Sequence, residues 1–121
     1  MAYMLLMIEP PGQRATRTRE QGQQAYARMQ RFADELKSQG LLLGVESLAS
    51  HSGAARVQVR EGRARVVDGP FAEAKEMVGG FFVVACDTRD DALAIASRCP
   101  AAEWSTVEVR ALAPCYDDSH A

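Results

Sequence analysis

Histidine and cysteine are scarce in this chain, and the scarcity narrows its chemistry. His51 and His120 are the two histidines, and no pair among the three cysteines, Cys86, Cys99 and Cys115, is two to four residues apart. Neither spacing makes a metal centre, so no metal is expected. There is also no glycine-rich phosphate loop, because Gly79-Gly80 runs into the strand-like Phe81-Phe82 rather than a helix. No cofactor is expected. Long apolar runs are missing as well: Met1 to Ile8 is too short for a membrane span or a signal peptide and has no basic leader. An odd cysteine count without a pairing motif suits a reducing compartment, and a cytoplasmic location is expected. A large excess of either charge is absent too, with Lys+Arg 14 against Asp+Glu 16. Nothing global draws the chain to nucleic acid or to an anionic membrane.

What is present is an ordinary globular composition, 121 residues with 47% hydrophobic and 25% charged. That is enough for one domain with a real core. The domain is expected over residues 1–112, with 113–121 as a tail.

Tyr3 to Ile8 is apolar on both alternating faces, which predicts a strand covered on both sides. Thr18 with Gln21 fits a capping box, and Tyr26, Met29, Phe32, Ala33 and Leu36 form a helical stripe that Gly40 ends. Leu41 to Leu48 reads as a second strand, in which Glu46 shares a face with Leu42, Gly44 and Leu48 and is expected to be sheltered. Arg56–Arg60 and Arg63–Asp68 flank Glu61-Gly62 as a β-hairpin. The register sets Arg60 opposite Arg63 and Val57 opposite Val66, so one face is Val57, Val59, Ala64 and Val66. The other face carries Arg56, Arg60, Arg63 and Arg65. Asp68 falls in phase with the apolar face. After it, Gly69-Pro70 predicts a turn and Phe71 to Met77 a short helix stopped at Gly79-Gly80. Phe81 to Cys86 reads as a central strand, Thr88 to Cys99 as a capped helix ended by Pro100, and Trp104 to Leu112 as a closing strand.

The order is β, α, β, hairpin, β, α, β. It predicts an α+β fold: a ferredoxin-like split β-α-β sheet with an inserted hairpin and two helices on one face. Two helices cover one face only, so the other apolar face is expected to meet a second copy of the chain.

Asp68 to Glu76 with Gly79-Gly80-Phe81 resembles the signature of the YCII-related superfamily, in its branch named for Asp-Gly-Pro-Phe. Leu41 to Gly44, Arg98-Cys99-Pro100-Ala101 and Val107 to Arg110 resemble it at matching places. The resemblance implies a dimeric α+β barrel with small-molecule clefts and proposals of enzymatic activity without an established reaction. It also implies an association of some relatives with sigma factors of the extracytoplasmic-function type. Ala74 stands where the family commonly has Thr, and Ala49-Ser50 where a Pro is common. The superfamily's His and Asp pair does not carry over, because the first helix here has no His.

Candidate site residues follow from type and placement. Asp68 reads as a general acid or base on an apolar face, or as a cap of its own turn. His51, in a small polar loop, reads as a proton shuttle or a solvated loop residue. Lys75 and Glu76 read as anion binder and partner base, or as exposed charges; Phe71 as a turn anchor or a stacking ring. Glu46 and Tyr3 are candidates for lining the same cavity, against a paired strand acid and a core tyrosine. The arginine face fits an anionic partner, or solvent, and lacks the interleaved aromatics that nucleic acid would favour. Together these predict a homodimer binding a small polar or anionic metabolite near the Asp-Gly-Pro-Phe turn, with cofactor-free acid-base chemistry through Asp68. The alternative is a non-catalytic regulatory module that docks an acidic protein partner on its arginines.

Overall fold

The computed structural model describes residues 1–116. Four strands form one antiparallel sheet: β1 (Ala2–Glu9), β2 (Leu42–Ser47), β5 (Met77–Ala85) and β6 (Thr106–Ala111), in the order β2-β5-β1-β6. This is the expected ferredoxin-like α+β arrangement. The helices α1 (Arg19–Ser38) and α2 (Arg89–Arg98) supply the helical layer. β3 (Ala55–Arg60) and β4 (Arg63–Asp68) pair only with each other, as a hairpin outside the main sheet.

Local chemistry explains most boundaries. The α1 capping box forms in both directions: Gln21 N–H donates to Thr18 Oγ1 at 3.1 Å, and Thr18 N–H to Gln21 Oε1 at 2.9 Å. Gly40 ends the helix with φ +71°, a left-handed conformation that suits glycine. The hairpin turns on Glu61 and Gly62, both with positive φ, as a two-residue loop matching strand twist requires. Its register is the expected one, from Arg60↔Arg63 through Val57↔Val66 to Ala55↔Asp68.

The core lies between the sheet and the helices. Tyr3, Leu5 and Met7 of β1 and Phe82 and Val84 of β5 pack on Phe32 and Leu36 of α1 and on Ala92, Ile95 and Ala96 of α2. Phe32 and Phe82 meet edge to face with centroids 5.3 Å apart. On the opposite side, Met4, Leu6, Ile8, Phe81 and Val83 form an apolar face that remains partly exposed.

Three expectations need correction. No helix forms over Phe71 to Met77: Met77 is drawn into β5 opposite Glu9, and the residues left over make only turns. Gly79-Gly80 therefore sits inside β5 rather than at a helix stop. In β2 a register shift between Leu42 and Gly44 puts Leu42 opposite Val84 but Gly44 and Glu46 opposite Val83 and Phe81. Glu46 is thereby placed on the face away from the helices, and it is exposed. The closing strand starts at Thr106, with Trp104 in the preceding loop. The expected tail from 113 lies partly outside the described residues, as does His120; residues 113–116 form no helix or strand. No helix among the described residues is long and apolar enough to cross a membrane.

Candidate functional site

Strand alternation carries Tyr3, Leu5, Met7 and then Glu9 to the helix side of β1, so an apolar series ends in a carboxylate. Glu9 is 7% exposed and is the one charged or polar residue buried among the described residues. A buried carboxylate needs a partner. Arg14, in the 3-10 turn that follows β1, supplies it: its Nε donates to Glu9 Oε1 at 2.7 Å. The other two guanidinium nitrogens donate to the carbonyls of Leu48, at 2.8 Å, and Gly79, at 3.2 Å. One arginine thus ties the end of β1 to β5 and to the residue just beyond β2.

Gly79 makes this approach possible. The β1–β5 ladder passes from Met7↔Gly80 to Ile8↔Val78, leaving Gly79 as the extra residue of a bulge. A Cβ on it would lie 2.8 Å from Glu9 Cδ and 2.9 Å from Arg14 Nη2. Bulges of this kind commonly re-aim groups beside a site.

The Glu9–Arg14 pair borders a cavity of 770 Å³ between the sheet and α1, lined along the helix from Arg19 to Asp34. Arg17, Thr18 and Arg19 line it at the start of α1, together with the exposed Tyr26, the half-buried Met29 and Trp104 and the buried Phe82. Its volume lies within the range of small-molecule sites. Trp104 is held from several directions. The guanidinium carbons of Arg17 and Arg28 are each 5.4 Å from its ring centroid. Its carbonyl accepts from Gln13 Nε2 at 2.6 Å, and Gln13 Oε1 in turn accepts from Ser105 Oγ at 3.2 Å. Arg28 also pairs with Glu103.

A second pocket of 460 Å³ lies beyond Glu9 and is lined in part by Lys75, Glu76 and Glu103. Glu9, Trp104 and Ser105 border both cavities, so they form a common wall.

The residues singled out from the sequence divide around this site. Lys75 and Glu76 do reach a cavity, the second one. Glu46 borders the first, although its register places it with Phe81 on the other face of the sheet. Tyr3 is a core residue, 6% exposed, and lines neither cavity. Asp68 is exposed at the end of β4, lines neither cavity, and its carboxylate accepts no hydrogen bond among the described residues. Within one chain it is neither pocketed nor a side-chain cap of the turn.

His51 and Phe71 are brought together away from both cavities. Their rings meet edge to face at 5.9 Å, while the Arg56 guanidinium lies 3.7 Å from the Phe71 centroid. Phe71 is thus an anchor, clamped between a loop histidine and a hairpin arginine. Arg60 Nη1 donates to the neighbouring Val59 carbonyl at 3.0 Å, and Arg60, Arg63 and Arg65 form no ion pair among the described residues. Glu9, Arg14, Arg17, Arg19 and Trp104 are the site residues that sequence reading missed. Glu9 had a signal: it continues the odd-numbered series of Tyr3, Leu5 and Met7.

Fold and site define a ferredoxin-like α+β domain with a charged cleft between its first helix and its sheet. The family model for the YCII-related domain matches residues 1–115, and the chain belongs to that family. It is 41% identical over 76 residues to an uncharacterised protein of Rhizobium meliloti (strain 1021), a match covering 61% of each chain. The chain therefore spans about three-fifths of the length of that curated relative.

Proposed function

We propose that the protein binds a small anionic metabolite in the cavity between α1 and the sheet. The supporting observation is the charge arrangement of the lining. Glu9 and Arg14 neutralise each other, whereas Arg17 and Arg19 lie together at the start of α1 without an ion-pair partner among the described residues, and the other two lining carboxylates, Asp34 and Glu46, belong to α1's later turns and to β2. Next to them, Tyr26, Met29 and Phe82 offer an apolar wall for the ligand's body. Few convergent charged groups over an apolar lining is the usual composition of such sites. The cleft thus lies on the far side of Glu9 from Lys75 and Glu76, the end of the Asp-Gly-Pro-Phe segment, and not at Asp68.

The test is a thermal-shift titration over carboxylates, phosphates and their neutral amides or alcohols. Anions are expected to raise the melting temperature of the native chain and to lose that effect in the double variant R17A/R19A. Equal responses to neutral analogues, or an unchanged response in the variant, would overturn the reading.

We also propose that the apolar sheet face is covered by a second copy of the chain in a reducing cytoplasm. The partly exposed Met4, Leu6, Ile8, Phe81 and Val83 support the dimer. The free thiols of Cys86, Cys99 and Cys115 support the compartment.

A further inference from the structure

Only half of the Glu9 carboxylate is engaged. Oε1 accepts Arg14 Nε, while no hydrogen bond among the described residues reaches Oε2. No side-chain nitrogen or oxygen among them is both sealed off and without a partner, so Oε2 opens outward, and the openings beside Glu9 are the two cavities it borders. Arg14 spends its remaining donors on the Leu48 and Gly79 carbonyls. It therefore acts as a brace, orienting the carboxylate without covering its second oxygen.

We propose that Glu9 Oε2 is the acceptor for a hydrogen-bond donor on the cavity's ligand. That ligand is then a monoanion carrying a hydroxyl or amino group, rather than a simple carboxylate or a dianion. The proposal rests on the binding reading above and deepens it. A carboxylate on a residue only 7% exposed and held in place by an ion pair discriminates between ligands, because an analogue without the donor offers Oε2 no partner. It discriminates against a second anionic group as well, which would meet Glu9 as a like charge. The anionic end belongs with Arg17 and Arg19, and the donor with Glu9.

Calorimetric titration of the full chain with hexanoate, 2-hydroxyhexanoate, 6-hydroxyhexanoate and the matching amino acids tests this. At least one donor-bearing member is expected to bind about ten- to hundredfold more tightly than hexanoate, the ratio of a charge-assisted hydrogen bond. The hydroxy and amino arms identify which donor is used. Glu9→Gln keeps an acceptor for Arg14 and places an amide NH2 where Oε2 stood. It is expected to remove the preference, read as the ratio of the hydroxy- or amino-acid Kd to the hexanoate Kd measured in the same variant. Equal binding of hexanoate and all substituted members by the native chain overturns the proposal even if the variant does not fold, and so does a Glu9→Gln protein that keeps the preference. Binding of no anion, or undiminished binding by R17A/R19A, instead sinks the cavity reading and this inference with it.

Discussion

Gly79 lies against the Glu9 carboxyl group so closely that a Cβ at position 79 would stand 2.8 Å from Glu9 Cδ. The contact couples a bulge in β5 to the one buried charge of the described fold. Gly79→Ala is expected to displace the Glu9–Arg14 pair and cost about 1–3 kcal/mol, the usual range for overpacking. Gly22→Ala is the control. Nothing lies within 4 Å of the added methyl, and removing a helical glycine should stabilise by about 0.5–1 kcal/mol. Denaturant unfolding of both variants checks the contrast in sign.

The glycine of the Asp-Gly-Pro-Phe turn has a different constraint. A Cβ on Gly69 would collide with the His51 carbonyl oxygen and lie 3.2 Å from that of Ala54, both backbone atoms, and Gly69 N–H donates to the Ala54 carbonyl at 2.7 Å. Gly69→Ala should therefore push the turn off the His51–Gly53 segment and separate Phe71 from His51 and Arg56. Loss of hydrogen-exchange protection at the Gly69 amide, with β1 and β5 amides unchanged, is the expected result. Protection equal to the native chain would contradict the close approach.

Much of this architecture was legible in the sequence because its signals are local. The Thr18–Gln21 capping box, the Glu61-Gly62 turn and two-residue alternation fixed the helix start, the hairpin register and the strand faces. The site was less legible because it depends on non-local geometry. The bulge at Gly79 and the slip between Leu42 and Gly44 each alter a face by one residue, and neither follows from periodicity. Glu46 and Glu9 show the consequence: the acid expected to be sheltered is exposed, and the acid left beyond the predicted strand end is buried. Asp68 is in phase with Val57 and Val66 as expected, but those valines are 64% and 60% exposed. Being on an apolar face did not make it buried.

Buried thiols give the fold a predictable alkaline limit. Burial raises the Cys99 and Cys86 thiols above their ordinary value of 9.0, with the nearby Asp91 and Asp87 adding to the effect at Cys86. A raised folded-state value means the native state holds its protons longer than the unfolded chain. Their contribution is complete below about pH 9 and is lost as pH rises through the folded values. The melting temperature should accordingly fall above pH 9, less steeply in Cys99→Ala after its cavity cost is measured at pH 7. Thiol labelling should give the same order, with exposed Cys115 reacting first and Cys99, 2% exposed, last.

The open sheet face makes the dimer testable at single residues. Leu6 is central on that face, opposite Phe81 on one neighbouring strand and Glu108 on the other. Leu6→Glu would put a carboxylate beside Glu108 and, in a symmetric pair, close to its own copy across the interface. Desolvating those charges opposes association, whereas the folded monomer pays little because the side chain already meets solvent. Sedimentation at micromolar concentration should show a dimer for the native chain and a monomer for the variant, with far-UV circular dichroism unchanged. A native monomer, or a Leu6→Glu dimer of undiminished affinity, would show that this face is not where two copies meet.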